Sequence, residues 1–214
     1  MNYQSETLKF LTTQIKTILL ICCLGLLAFY GTFHSPFHYE DAHAIVENPH
    51  IKDISKFQEK VGIQNIFNRS VLLLSFAINQ HFGELEVFGY HLINILIHIL
   101  TSILWFFLVK EFLLIEPIEK RSFNKNLPLI CSFIHLLNPL NIQAVTYISS
   151  RSSLLATFFY LFAFYIMVQG IKPNKLKIEV GSLADKSSIH PKKGWCLISS
   201  VTYSILYMAK KNGI

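Results

Sequence analysis

The sequence predicts an all-α fold, a multi-pass membrane helical bundle of about five spans. Two observations predict it, the composition and the length of the apolar runs. Of the 214 residues, 52% are apolar and only 15% are charged, and the mean hydropathy is +0.42. Soluble domains carry about 25% charged residues, and a run of roughly 20 apolar residues is long enough to cross a bilayer as a helix. The chain therefore has the composition of an integral membrane protein.

Five apolar runs are the predicted spans, near residues 17–33, 88–114, 127–140, 152–170 and 195–209. The first follows a basic start, as a secretory signal peptide would. No small-residue cleavage site follows it, so we expect an uncleaved anchor. The third reaches Asn138-Pro139, which should end or kink the helix because proline has no N–H to donate.

A large first extracytoplasmic loop, residues 34–87, separates the first two spans and holds seven of the 13 acidic residues. Within it, residues 63–82 mix apolar and polar positions. Five apolar residues are predicted to share one helical face: Ile66, Phe67, Leu73, Leu74 and Ile78. This pattern is typical of a helix lying in the membrane interface. A short re-entrant or packed helix is the alternative.

The basic residues predict the orientation. With a cytoplasmic N-terminus, 12 of the 19 Lys and Arg residues fall in cytoplasmic segments, as the positive-inside rule requires. This places Glu40 and Asp41 on the outer side of the membrane. We expect a bacterial inner membrane, or the endoplasmic reticulum membrane in a eukaryote. The net charge of +6 is spread through the loops, so no nucleic-acid partner is predicted.

The adjacent carboxylates of Glu40 and Asp41 are the candidate catalytic residues, because a carboxylate at a membrane surface can act as a general base. The alternative is structural, with Asp41 as a helix N-cap. Nearby histidines suggest a metal alternative, but such residues are mostly polar loop residues and no metal site is predicted. They are His34, His38, His43 and His50.

Two further groups of polar residues lie at or near the predicted spans. Their spacing places His91, Asn94 and His98 on one face of the second span, either lining a cavity or hydrogen-bonding between helices. Arg69, Arg151 and Lys210 are predicted near the outer surface. They could bind a lipid phosphate or serve as interfacial anchors.

Five segments carry a family resemblance, and they occur in family order. They are YEDAHAIVENPHI at 39–51, NRSVLLLSFAIN at 68–79, GYHLINILIH at 89–98, NPLNIQAVTYISSR at 138–151 and AKKNGI at 209–214. Together they resemble the transmembrane-and-tetratricopeptide-repeat O-mannosyltransferase family. The resemblance implies a GT-C-type glycosyltransferase that moves a sugar, with mannose expected, from a polyprenyl-phosphate carrier. The acceptor would be a protein Ser/Thr or another hydroxyl on the outer side.

The resemblance also implies roles for individual residues. The family's acidic pair falls on Glu40 and Asp41, with Asp41 the expected base because the family keeps Asp there. Arg69, Arg151 and Lys210 become candidates for the carrier phosphate, while His91, Asn94 and His98 line the pocket. The implied partners are the bilayer, the lipid-linked donor and a protein or glycan acceptor. No cofactor is predicted with certainty.

The resemblance extends to the N-terminal part of the family only. The family continues with further spans and tetratricopeptide repeats, and residues 1–214 show no 34-residue period. We therefore expect a fragment, residues 1–214 being the N-terminal portion of a GT-C-like membrane domain. The alternative is a non-catalytic remnant, or a membrane subunit completed by a second chain. A transporter is disfavoured, since it would need paired broken helices with charges at the midplane.

Overall fold

Helices form all of the regular structure in the parts of the chain that the computed structural model describes, residues 3–48, 51, 70–115 and 126–180. This confirms the all-α prediction. The helices are α1 (Tyr3–Ala28), α2 (Tyr39–Asp41), α3 (Ser70–Gly83), α4 (Val87–Ile115), α5 (Leu127–Leu136), α6 (Ile142–Thr146) and α7 (Arg151–Val180). The predicted fifth span at 195–209 lies outside the described residues, as do Arg69 and Lys210.

Three helices are long and apolar enough to cross a membrane, over Leu11–Ala28, Val87–Leu114 and Arg151–Gly170. A fourth candidate is the pair Leu127–Leu136 and Pro139–Thr146, bent by 43° at a short break. The bend falls at the Asn-Pro dipeptide, where the sequence predicts it. The described residues thus contain three or four candidate spans, and the predicted number of about five is not confirmed.

The first span ends earlier than predicted. Its helix stops at Ala28, and Tyr30–His34 form a 3-10 turn. Gly31 is a poor helix former. Ser35 has extended backbone, with φ −68° and ψ 132°, because a proline disfavours helical geometry in the residue before it. The chain therefore leaves the helix ahead of Pro36 and enters the loop that carries the acidic pair.

Helix α3 forms where a helix was predicted within the outer loop. Its exposed apolar side chains lie three or four residues apart, on one face: Val71, Leu74, Ile78 and Phe82. The prediction for Leu73 was wrong, because Leu73 packs against a buried cluster instead. Ile66 and Phe67 lie outside the described residues. That this face lies in the membrane interface stays a prediction.

Helix α4 is the centre of the described bundle and packs most extensively on α5 and α7. Its buried apolar side chains meet those of α1, α5, α6 and α7. The cluster includes Ile21, Phe29, Ile95, Ile99, Phe106, Leu136, Val145 and Leu154. Helix α1 approaches closely because Gly25 has no side chain. A Cβ there would lie 2.6 Å from Cγ1 of Ile99.

Candidate functional site

Asp41 is a fully buried residue at the end of the short helix α2. Its Oδ2 accepts a hydrogen bond from the backbone N–H of His38 at 3.0 Å. Its Oδ1 accepts one from the backbone N–H of Ser149 at 2.7 Å, across 108 residues of sequence. Asp41 occupies the N-cap position of the turn Ala42–Val46, as the structural alternative predicted, but its side chain makes no cap hydrogen bond to that turn. In α2 it is the third helical residue and closes a capping box with His38. The carboxylate instead joins the outer loop to the turn before α7.

Glu40, the other half of the pair, is exposed. The chain continues from Asp41 into a π-helical turn, Ala42–Val46. Within that turn Ile45 is fully buried and packs in a cluster with Tyr90 and Ile148. The segment that follows the acidic pair is therefore held by a buried contact, and of the pair itself one carboxylate is buried and the other exposed.

Arg151 begins α7, and its side chain is fully buried. Its Nε donates to Oδ1 of Asn94 at 2.7 Å. One terminal nitrogen donates to Ser75 Oγ at 3.1 Å and to Asn79 Oδ1 at 2.8 Å, and the other donates to the Tyr90 carbonyl oxygen at 2.9 Å. The guanidinium is thus bonded to acceptors on α3 and α4. Its predicted role in holding a carrier phosphate stays a prediction.

Asn94 uses both ends of its amide. While Oδ1 accepts from Arg151, Nδ2 donates to the carbonyl oxygens of Val145 at 3.3 Å and Tyr147 at 3.2 Å. An amide group with one acceptor and two donors can link a cation to backbone carbonyls in this way. Asn94 therefore ties Arg151 to the same turn that contacts Asp41.

His91 lies one turn earlier on α4 and is also fully buried. Its Nε2 donates to the Ser35 carbonyl oxygen at 3.0 Å, and its Nδ1 is buried without a hydrogen-bond partner. A buried polar atom of this kind is uncommon and is a position where a ligand group or an ordered water can bind. The hydrogen bond from His91 thereby holds Ser35, the residue that follows the 3-10 turn Tyr30–His34.

His98 belongs to a different region. Its Nε2 donates to the Leu136 carbonyl oxygen at 3.1 Å, and its ring lies 4.8 Å from the ring of His135. Ser102 Oγ lies 2.9 Å from Nδ1 of His135. These contacts join α4 to α5. His98 therefore forms an interhelical hydrogen bond, which is one of the two roles considered for this polar face from the sequence.

The structure thus brings together Asp41, Asn94 and Arg151, with His91 close by on α4. Sequence reasoning missed Ser75, Asn79 and the backbone amide of Ser149. The two side chains lie inside the motif at 68–79, which was a usable signal, whereas a backbone amide has no sequence signature. Within the described ranges, no three His, Cys, Asp or Glu residues cluster in a way that could hold a metal ion.

Comparisons with known proteins give the site a context. "Protein O-mannosyl-transferase F38B6.6" of Caenorhabditis elegans is 25% identical over 171 residues, which cover 75% of this chain and 24% of the relative. "Protein O-mannosyl-transferase TMTC3" of Homo sapiens is 26% identical, covering 70% of this chain and 16% of the relative. "Protein O-mannosyl-transferase TMTC4" of Mus musculus is 23% identical, covering 92% and 27%. The chain is similar to protein O-mannosyl-transferases.

This similarity confirms the family resemblance predicted from the motifs. It is also consistent with the prediction that the chain corresponds to the N-terminal part of those proteins. The chain spans about a quarter or less of the length of the relatives named above. No protein-family model matches the chain. No solved structure matches it either. The similarity to O-mannosyl-transferases supports a glycosyltransferase activity for the family, and the apolar helices support a multi-pass membrane protein.

Proposed function

We propose that this chain is the part of a membrane glycosyltransferase that carries the acidic pair, Glu40 and Asp41. The enzyme moves a sugar, with mannose expected, from a polyprenyl-phosphate carrier. The acceptor is a protein Ser/Thr or another hydroxyl on the extracytoplasmic side. Two observations support the proposal, the similarity to protein O-mannosyl-transferases and the apolar helices. The single observation that carries it is the ordered acidic pair just after the first of those helices, with one carboxylate exposed and the other anchored.

The proposed reaction needs one base. A carboxylate takes the proton of the acceptor hydroxyl, the acceptor oxygen forms a bond to the anomeric carbon, and the bond from that carbon to the phosphate oxygen breaks. The polyprenyl phosphate leaves with the electron pair. A general base must come within hydrogen-bond reach of the proton it takes. Glu40 is exposed, so an acceptor hydroxyl can approach its carboxylate, whereas both oxygens of Asp41 already accept backbone hydrogen bonds.

We therefore assign proton transfer to Glu40 and anchoring of the loop to Asp41, although the family resemblance alone favours Asp41 as the base. Arg69 and Lys210 are the proposed cations for the phosphate, where they would stabilise the developing negative charge of the leaving group. Both lie outside the described residues. His91, with its unpartnered Nδ1, is the proposed polar contact in the pocket.

The test is a transfer assay with the full chain in lipid nanodiscs, using polyprenyl-phosphate mannose and a Ser/Thr-rich peptide. Glu40→Gln should lower turnover by roughly 10²- to 10⁴-fold, the contribution typical of a general base. Glu47→Gln is the matched control, because it removes an exposed carboxylate from the same loop, and it should retain activity. Full turnover in Glu40→Gln together with none in Asp41→Asn would give the base role to Asp41.

A further inference from the structure

Arg151 occupies an electrostatically unfavourable place. It is a fully buried guanidinium at the first residue of α7, which is the positive end of that helix's dipole. The ion pairs found in the described part of the chain do not include it. Burying a charge without a counter-charge is costly, so stability alone does not account for this residue.

The surroundings of Arg151 compensate its charge with neutral groups. Its four hydrogen bonds go to two side-chain amides, one hydroxyl and one carbonyl. The guanidinium carbon lies 4.4 Å from the ring centroid of Phe76, a distance typical of a cation–π contact. Guanidinium is suited to such a site because its planar, fixed donors can be bonded individually. In this arrangement the group faces protein acceptors, not an open surface.

The contacts continue from Arg151 to the acidic pair in two steps. In the first, Asn94 accepts from Arg151 and donates to the carbonyl oxygens of residues 145 and 147. This holds one end of the turn at 145–151, and Arg151 itself is the other end. In the second, the Ser149 amide in the middle of the turn donates to Asp41 at 2.7 Å. The position of the turn therefore fixes the position of the Asp41 carboxylate.

We propose that Arg151 and Asn94 are positioning residues, which hold the turn at 145–151 and through it the loop that carries Glu40 and Asp41. Neither residue touches the substrate. Loss of either releases the turn and with it the acidic pair, so the geometry of proton transfer is lost while the donor still binds. This assignment rests on the proposed function for its catalytic consequence, but the mechanical coupling stands independently of it.

Hydrogen–deuterium exchange on the full chain in nanodiscs tests the coupling without any activity. Asn94→Asp keeps an acceptor for Arg151 and removes both donors to the turn, so amides in 145–151 and in 36–48 should exchange at least tenfold faster. Arg151→Lys should do the same, because an ammonium cannot reproduce the fork of donors. Ser132→Ala is the control, since it removes another buried hydrogen bond, to the Ser102 carbonyl, and should leave both segments unchanged.

A substitution in the outer loop covers the case in which the variants of α4 and α7 do not fold. Asp41→Ala removes both carboxylate acceptors, including the one for the Ser149 amide, so exchange in 145–151 should rise even though the substitution is in the other segment. Unchanged exchange in 145–151 in this variant, or unchanged exchange in 36–48 in folded Asn94→Asp, would overturn the proposal.

The kinetic arm separates positioning from phosphate binding. Positioning predicts that Asn94→Asp and Arg151→Lys lower kcat at least tenfold and leave the donor KM within about twofold. A raised donor KM with unchanged kcat and unchanged exchange would make Arg151 a phosphate ligand and would overturn the proposal. If the wild-type chain transfers no sugar, the proposed function fails while the exchange experiment still decides the coupling.

Discussion

Gly25 provides a quantitative test of the helix packing that places the outer loop. At this position α1 lies so close to α4 that an added Cβ would be 2.6 Å from Cγ1 and 2.9 Å from Cδ1 of Ile99. It would also lie 3.2 Å from Cδ1 of Leu136. Carbon atoms pack at about 3.5–4.0 Å, so Gly25→Ala must push its neighbours away by roughly 1 Å. Ile99 is buried, so it cannot shift by this distance without displacing other core residues.

Overpacking of a well-packed core costs about 1–3 kcal/mol, and we expect Gly25→Ala to destabilise the protein by this amount. Thermal unfolding in nanodiscs should then show a Tm lower by roughly 2–10 °C. Gly31→Ala is the control, because a Cβ there has no neighbour within 4 Å. Ile99→Ala removes both clashing carbons, so the cost of Gly25→Ala in that background should fall below about 0.5 kcal/mol, which a double-mutant cycle measures.

Two results would refute this reasoning. One is a Tm for Gly25→Ala equal to that of Gly31→Ala, which would mean that α1 does not approach α4 as described. The other is strict additivity of Gly25→Ala and Ile99→Ala, which would assign the loss to something other than this clash. The consequence reaches the site, because α1 leads into the segment whose Ser35 carbonyl accepts from His91.

Three smaller predictions concern single hydrogen-bonding groups. Ser149→Ala should leave the Tm unchanged or raise it, since Asp41 contacts the backbone amide and the Ser149 hydroxyl is buried without a partner; a large fall would show that the hydroxyl is used. Tyr90→Phe should cost about 1 kcal/mol in thermal unfolding, because it removes the hydroxyl that donates to Gln80 Oε1 and the Glu84 carbonyl oxygen, each at 3.0 Å; no change would contradict these bonds. Ser102→Ala should cost about 1–3 kcal/mol because it leaves His135 Nδ1 without its partner, and His135→Leu in that background should recover part of the loss; no recovery would show that the pair is not coupled.

The long helices were predictable because each has a run of apolar residues of bilayer length. The break at Asn138-Pro139 was predictable because of the chemistry of proline. The end of α1 was harder to predict, because apolar residues continue to Phe33 and only Gly31 and Pro36 disfavour helical structure there. Leu73 was placed on the wrong face because α3 is apolar on more than one side, and its periodicity then does not single out which residue is buried.

The candidate site was predictable in residue identity but not in arrangement. The motifs contain Asp41, Asn94 and Arg151, yet a sequence gives no burial for an arginine, and Arg is usually exposed. The acceptors of Arg151 are supplied by residues 57 to 76 positions earlier in the chain. Only the packing of α3 and α4 against the start of α7 brings them together. The Ser149 amide is still harder to predict, since every residue but proline has one.

The separate fates of Glu40 and Asp41 follow from their position in a helix. Neighbouring residues in an α-helix point about 100° apart, so an adjacent acidic pair cannot direct both carboxylates to one place. When α2 packs against the turn before α7, one carboxylate must face that turn and the other must face away from it. Burial of Asp41 is compensated by two backbone donors, which makes it a joint between two segments far apart in sequence. In this acidic pair Asp41 is therefore the anchored carboxylate and Glu40 the exposed one, which gives the first a structural role and leaves the second for the proposed proton transfer.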